Sequence, residues 1–238
     1  FSSQQSHDKI EGETRFLRAY FYFNLARSFG HVPLITTSQS GNEPQAEPEK
    51  VYAQIATDLR KAIDLLPNTK AAVAPDTQLG HATRWAAEGI LARVFLFYTG
   101  YYQKEALPTL DGTLSKTDVA ALLKDCIDHS GHKLMPDFRN LWAYTNRCTV
   151  EDYDYTKGKN LKWAEDDNAV NPESMFAIKF SKYADWNDSN IGYSNQYALF
   201  FGVRGQGTNE RTFPFGSGWG AGPVSPALVN DWTVTEPN

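Results

Sequence analysis

The sequence predicts a mostly α-helical first half, followed by an irregular, loop-rich second half that contains short strands. Apolar residues recur at helical spacing as far as about residue 130. Residues 184–222 are instead rich in Gly, Asn, Ser and aromatic residues, a composition typical of ordered surface loops. We therefore expect a helical region over residues 1–135 and a loop-rich excursion over residues 136–238, packed together as one domain.

The ends of the first two helices are marked by glycine and proline. No proline interrupts Lys9 to Phe29, and Gly30 then predicts a stop. This helix carries a run of aromatic residues, so we expect it to be buried on most sides. Its predicted inward residues are Ile10, Phe16, Leu17, Tyr20, Phe21, Asn24 and Leu25. The second helix begins at Pro48 and ends before Pro67, with an apolar stripe of Val51, Ile55, Leu59, Ile63 and Leu66.

The third helix is predicted from about residue 82 to residue 99, and Gly100 is expected to close it. Trp85 and Phe95 fall on its inward face and are predicted to be buried. Small residues on this helix are expected to let the next helix approach closely: Ala86, Ala87, Gly89 and Ala92. Such pairs are similar to tetratricopeptide-like hairpins, with an ordinary helical bundle as the alternative.

The fourth helix begins near Ser115, where Asp118 completes a capping-box pattern, and ends near Ser130. Cys126 falls on its predicted apolar face with Leu122, Leu123 and Ile127. We expect a buried free thiol at Cys126, with a bridge to Cys148 as the alternative.

The second half has few regular elements. Residues 145–172 are polar and acidic and read as a long excursion, whereas residues 174–180 alternate weakly and predict a strand. Ser225 and Pro226 offer an N-cap and a first-turn proline for a helix that continues through Trp232.

Composition limits the functional classes. The formal net charge of -5 and the lack of a basic run argue against a nucleic-acid partner. Aromatic residues reach 13% of the chain, an excess that a core alone does not require. No apolar run approaches the roughly 20 residues needed to span a bilayer. No signal peptide opens the chain, so we expect it to be processed or truncated.

Catalytic and metal-binding patterns are weak. The acidic run Glu165 to Asp167 is more typical of a solvated surface than of the paired acids of a glycosidase. The segment from Asp152 to Gly158 resembles an oxygen-rich calcium loop, but its glycine is misplaced. The histidines have no metal-ligand spacing, and neither a G-x-S-x-G elbow nor a phosphate-binding glycine loop occurs. We therefore predict no enzyme activity, no cofactor and no metal site.

A series of blocks in consecutive order points to a known family. Residues 11–25 read EGETRFLRAYFYFNL, and FGHVPL follows at residues 29–34. The further blocks are residues 52–67, ATRWAA and LARVFL within residues 82–96, NPESMF at residues 171–176, and residues 218–229. Together they resemble the SusD/RagB family of nutrient-binding lipoproteins, although the family's DPR motif is absent. Because family members are considerably longer, we expect this chain to be truncated at both ends.

The resemblance implies an exported lipoprotein on the outer-membrane surface of Bacteroidota-type bacteria. Such proteins capture glycans, or in some relatives peptides, for import through a TonB-dependent SusC-like transporter. The lipid anchor implied by the family would lie upstream of Phe1. The alternatives are a helical-repeat module that binds a protein or peptide and, less favoured, a glycoside hydrolase.

Sugar binding requires exposed aromatic faces beside groups that pair with hydroxyls, and residues 183–220 have that composition. Glycine-rich flanks let such loops bend tightly. The family resemblance places a binding surface in this region. The expected glycan-binding residues are Trp186, Asn187, Tyr193, Tyr197, Arg204 and Trp219.

Overall fold

The computed structural model is mostly helical, with short strands, as the sequence predicts. It describes residues 3–38, 41–69, 80–141, 151, 154, 156–165, 171–178, 200–201 and 219–235. The chain divides into two compact units, one of residues 1–135 and 170–177 and the other of residues 136–169 and 178–238. Among the described residues, no helix combines the length and apolarity needed to cross a membrane.

The first unit is built from antiparallel helices. It contains α1 (Gln4–Phe29), β1 (Val32–Pro33), β2 (Gln45–Ala46), α2 (Pro48–Leu65), α3 (Arg84–Tyr102), β3 (Leu107–Thr109), β4 (Gly112–Leu114) and α4 (Lys116–His129). Helix α1 packs on α2 with Gly12 at Leu66 and, at the other end, Phe23 at Tyr52. A β-carbon on Gly12 would lie 3.0 Å from Leu66 Cγ, so glycine permits this close approach.

A buried carboxylate ties α1 to α2. The Asp58 side chain is 1% exposed. Arg18 donates a hydrogen bond of 2.7 Å to each of its two carboxylate oxygens, and Arg15 donates one of 3.1 Å to Oδ1. The hydrogen bonds to Asp58 raise the pKa of Arg18, despite the opposing effect of burial. Two guanidinium groups thus compensate one buried negative charge.

Helix α3 supplies much of the core. Trp85 is 3% exposed and Phe95 is 6% exposed, which confirms that both are buried. The Thr83 hydroxyl caps the first turn, as expected of an N-cap threonine. The predicted stop at Gly100 is wrong, because the helix continues to Tyr102 and ends where Gln103 adopts a left-handed conformation with φ of 53°.

The segment after α3 forms a short hairpin and then α4. Strands β3 and β4 pair antiparallel, and Leu107 of β3 is fully buried. The predicted capping box is confirmed, since the Ser115 hydroxyl accepts from the Asp118 backbone at 3.2 Å and the Asp118 carboxylate accepts from the Ser115 backbone at 2.8 Å. Cys126 is a buried free thiol, as expected, whereas Ile127 is 77% exposed and not on the buried face.

The predicted inward face of α1 is largely wrong. Leu17 and Leu25 are each 42% exposed and Phe21 is 57% exposed. Ile10 is exposed as well. Phe16 is buried as predicted, but the other residues that face the core are Gly12, Ala19, Phe23 and Ala26. Small residues alternate with aromatic rings along this stripe, which lets α2 pack closely, and that geometry outweighs the larger aliphatic side chains elsewhere on α1.

The strand predicted over residues 174–180 is also wrong for its described part. Residues 174–178 are irregular and pair with no strand that the structure describes. Side chains hold this segment: the Phe176 ring meets Phe16 edge-on at 4.8 Å, and Met175 Cε lies 3.0 Å from where a Gly89 β-carbon would be. Gly89 therefore makes room for the Met175 side chain. The sequence had instead predicted that this glycine lets α4 approach α3 closely.

Candidate functional site

In the second unit, residues 219–225 form a turn that leads into α5 (Pro226–Thr235). The Ser225 hydroxyl accepts from the Leu228 backbone at 3.2 Å, and Pro226 occupies the first turn, so the predicted helix start is confirmed. Gly220 has φ of 63°, a conformation that favours glycine. The turn is anchored by a backbone hydrogen bond of 2.7 Å from Ala221 to the carbonyl of Phe200.

Three aromatic rings gather around this turn. The rings of Phe200 and Trp219 meet edge-on, with centroids 5.0 Å apart and planes at 89°. The Phe201 ring lies against Gly222, where a β-carbon would approach its Cδ1 to 2.5 Å, so only glycine leaves room for it. We call Phe200, Phe201, Trp219 and Gly222 the aromatic loop surface.

The rings of this surface are accessible, unlike those of the helical unit. Trp219 is 44% exposed, Phe201 is 62% exposed and Phe200 is 39% exposed. A flat, partly exposed indole flanked by a second ring is chemically suited to cover the C–H face of a pyranose, because such a contact removes apolar area from water on both sides.

Of the six predicted glycan-binding residues, the structure describes only Trp219. The other five lie outside the described residues: Trp186, Asn187, Tyr193, Tyr197 and Arg204. They include the Asn187 amide and the Arg204 guanidinium, which were expected to pair with sugar hydroxyls. The structure adds Phe200 and Phe201, which the sequence analysis missed because it weighted aromatic residues that carry a polar group or stand beside amides.

A buried carboxylate, Glu88, and the half-buried Asp125 form a separate, structural group between α3 and α4. Glu88 is fully buried and accepts a hydrogen bond of 2.9 Å from Arg84, which also donates to Asp125 at 2.6 Å. Burial raises the pKa of Glu88, whereas the hydrogen bond from His129, 2.7 Å away, lowers the pKa of Asp125. Arg84 thus joins the two helices through two carboxylates.

A shallow cavity of about 280 Å³ lies along α1. Its acidic residue, Glu11, accepts a hydrogen bond from Arg15 at 2.8 Å, and Ile10 and Thr14 supply apolar and hydroxyl lining. The described residues that line this cavity do not include the pair of carboxylates that glycoside hydrolysis requires. Among the described residues, no three His, Cys, Asp or Glu side chains group closely enough to hold a metal ion.

Comparison with known proteins connects the fold to a class. Residues 2–96 match the family model SusD-like_3, described as "Starch-binding associating with outer membrane". The chain is 27% identical over 192 residues to a SusD-like protein of Bacteroides ovatus, covering 79% of this chain and 29% of that protein. It is 28% identical over 235 residues to SusD-like protein P2 of Formosa agariphila, covering 95% of this chain and 37% of that protein.

The solved structure of a laminarin-binding SusD-like protein has the same fold, with a TM-score of 0.66 and 26% identity over 99% of this chain and 45% of that one. The helical unit and these matches together relate the fold of this chain to that of SusD-like proteins. The chain is similar to proteins of the SusD-like (SusD/RagB) family, whose model matches residues 2–96. It spans 29% and 37% of the length of the two curated relatives.

Proposed function

We propose that this protein captures glycans without catalysis at the bacterial outer-membrane surface and delivers them to a TonB-dependent SusC-like transporter. The family description associates the family with starch and with the outer membrane. The solved relative is named for laminarin binding. In this chain, the observation that carries the proposal is the aromatic loop surface, with Trp219 44% exposed.

The proposed ligand contact centres on Trp219, with the Phe200 ring fixing the indole plane from its edge. A ring held by its neighbours loses little conformational entropy on binding, which favours affinity from a small contact area. We also propose that the ligand contact includes Trp186, Asn187, Tyr193, Tyr197 and Arg204. The Asn187 amide and the Arg204 guanidinium would pair with sugar hydroxyls. We further propose an N-terminal lipid anchor as the attachment to the membrane.

The proposed role is binding and not hydrolysis. The described buried carboxylates serve as ion-pair partners of arginine: Asp58 with Arg15 and Arg18, and Glu88 with Arg84. Each is covered by protein, so neither is positioned to meet a polysaccharide chain. A shallow aromatic surface instead suits reversible attachment, in which the ligand must be released to a transporter.

Affinity electrophoresis and calorimetry with laminarin and soluble starch test this proposal. We expect one of the two polysaccharides to retard the protein and to bind with a Kd on the order of 10 μM to 1 mM, as suits a shallow site. Prolonged incubation should release no new reducing ends. Lack of binding to both polysaccharides, or sustained release of reducing sugar, would overturn the proposed function.

A further inference from the structure

A second aromatic group lies in the helical unit, where α1, α2 and α3 meet. It comprises Phe23, Tyr52, Phe97, Tyr98, Tyr101 and Tyr102, and we call it the tyrosine cluster. Each of its rings has a neighbour with its centroid within 6.3 Å. The last turns of α3 contribute four of these rings, which is more than packing against one neighbouring helix requires.

The cluster passes from core to solvent in a graded way. Tyr52 is fully buried and Tyr98 is 3% exposed, Phe97 and Tyr102 are half-buried, and Tyr101 is 70% exposed. The exposed Tyr101 ring leaves apolar area in contact with water, and covering that area with a ligand would be favourable. The cluster therefore presents one ring outward on a base of buried rings.

The exposed ring is held firmly. Tyr101 stacks on Phe97 with centroids 5.4 Å apart and planes at 11°, and Tyr102 meets it edge-on at 4.9 Å and 80°. These two contacts fix the orientation of the Tyr101 ring from two directions. A preorganised ring binds a flat ligand face at a low cost in side-chain entropy.

Polar groups with spare hydrogen-bonding capacity accompany the rings. The Tyr52 hydroxyl is buried and has no hydrogen-bond partner among the described residues. Burial raises its pKa, and the nearby Tyr102 hydroxyl adds to that effect while the Arg27 guanidinium opposes it. Arg27 itself lies over the Phe23 ring at 4.6 Å and donates to the Asn24 side-chain oxygen at 2.6 Å.

We propose that the tyrosine cluster is a second glycan-contact surface, with the Tyr101 ring as its platform. This inference rests on the proposed glycan-binding function and extends it to a part of the helical unit that the loop surface does not include. The stacked Tyr101 ring supplies the apolar contact, and its exposed hydroxyl and the exposed Arg27 guanidinium supply groups that pair with sugar hydroxyls. A polysaccharide repeats its binding unit, so a second contact raises avidity without strong affinity at either surface.

Hydroxyl-radical footprinting on the unmodified chain tests both surfaces in one experiment. Laminarin and soluble starch are the probes, and Phe21, which is 57% exposed on the outward side of α1, is the internal reference for radical scavenging. With the polysaccharide that binds, we expect Tyr101 modification to fall at least about threefold relative to Phe21, which corresponds to occupancy above roughly two thirds. Trp219 modification should fall as well.

The outcomes separate the two proposals. Protection of Trp219 with unchanged Tyr101 would overturn the second surface and leave the proposed function intact, with Tyr101 then free for contact with a protein partner. Protection of Tyr101 supports the second surface, whether or not Trp219 is protected. Unchanged modification of both rings, together with no retardation by either polysaccharide, would count against glycan binding altogether.

Substitutions at Tyr101 give a second readout. We expect Tyr101→Ala to weaken binding of polymeric laminarin roughly tenfold but to change binding of a short laminari-oligosaccharide by less than about twofold, because a polymer presents many repeats to a weak surface and a short oligosaccharide presents few. Tyr101→Phe should retain most of the affinity. The matched control is Leu96→Ala on the same helix, since Leu96 is 68% exposed and outside the cluster. Equal polymer binding by Tyr101→Ala and Leu96→Ala at similar melting temperatures would contradict the proposal.

Discussion

Trp85 and Trp219 show how differently the two units of this chain use the same side chain. Trp85 lies in α3, is 3% exposed and donates its indole N–H to the Thr69 carbonyl at 3.1 Å. Trp219 precedes a glycine turn, is 44% exposed and touches Phe200 through a ring edge. One indole is surrounded by helix packing, whereas the other is supported from one side and faces solvent.

The difference shows that local pattern, and not residue type, decides the role of an aromatic ring. Trp85 falls within an apolar stripe of helical spacing, so burial follows from the helix. Trp219 has glycine on both sides in the sequence, and Gly220 takes a positive φ of 63°. A ring in such a turn has no stripe to join, and the Trp219 side chain stays partly exposed to solvent.

The largest effect that would sharpen this comparison is loss of the core indole. We expect Trp85→Ala to lower the free energy of unfolding by about 3 to 5 kcal/mol, because it leaves a cavity and an unpaired Thr69 carbonyl. Trp219→Ala should change stability by less than about 0.5 kcal/mol. Chemical denaturation of both variants measures this, and equal destabilisation would break the comparison.

The buried ion pair of α1 and α2 comes next in size. Asp58→Ala leaves the charges of Arg15 and Arg18 without their carboxylate, and we expect a loss of about 3 kcal/mol, since both arginines are partly solvated. The control is Asp111→Ala, which removes an exposed partner of Arg60 and should cost less than about 0.5 kcal/mol. Similar melting temperatures for the two variants would argue against a structural role for Asp58.

A pH-dependent difference is expected at Glu88. Burial raises its folded-state pKa above 4.5, so the folded state favours the protonated acid. Stability from this group is present at low pH and is lost as pH rises from the unfolded pKa through the folded pKa. Glu88→Gln lacks this titration and keeps a similar shape.

The melting temperature of Glu88→Gln minus that of the wild type should therefore increase with pH above about 4.3, the free glutamate value. The lowered pKa of Asp125 acts in the opposite direction, on stability that is lost as pH falls. A difference that is constant or decreases with pH would refute the assignment.

Two helix glycines provide the smallest test. Gly12→Ala gains about 1 kcal/mol of helix propensity but places a β-carbon 3.0 Å from Leu66 and 3.2 Å from Leu65, so we expect it to be neutral or to destabilise by about 1 kcal/mol. Gly100→Ala meets nothing within 4 Å and should stabilise by about 0.5 to 1 kcal/mol. Thermal unfolding ranks the two, and a stabilising Gly12→Ala would show that α1 and α2 are not so closely packed.

The sequence predicted those parts of the fold that depend on local chemistry. The capping box at Ser115, the proline start at Pro48 and the helix after Ser225 each follow from backbone hydrogen bonding within a few residues, and each is confirmed. The apolar stripe of α2 is confirmed as well, because all five of its predicted residues are buried, although the helix also buries all the other side chains from Val51 to Ala56.

The failures depend on contacts between distant residues. Helix α1 is apolar on more than one side, so its pattern did not show which side would be buried. The buried side contains Gly12, Ala19 and Ala26, whereas Leu17 and Phe21 are exposed. The alternation near Met175 predicted a strand because the pattern cannot show that its partner is a helix surface at Gly89. Phe201 was missed as well, since its contact with Gly222 joins residues about 20 positions apart in the sequence.

The central claim is that the exposed indole of the aromatic loop surface contacts the glycan. Calorimetry of laminarin binding by wild type, Trp219→Ala and Trp219→Phe tests it most directly, with soluble starch in place of laminarin should the wild type prefer it. Loss of the buried indole face is worth on the order of 1 to 3 kcal/mol, so Trp219→Ala should bind roughly ten- to a hundredfold more weakly at an unchanged melting temperature. Trp219→Phe should lie between the two. Affinity of Trp219→Ala equal to that of the wild type would contradict the account.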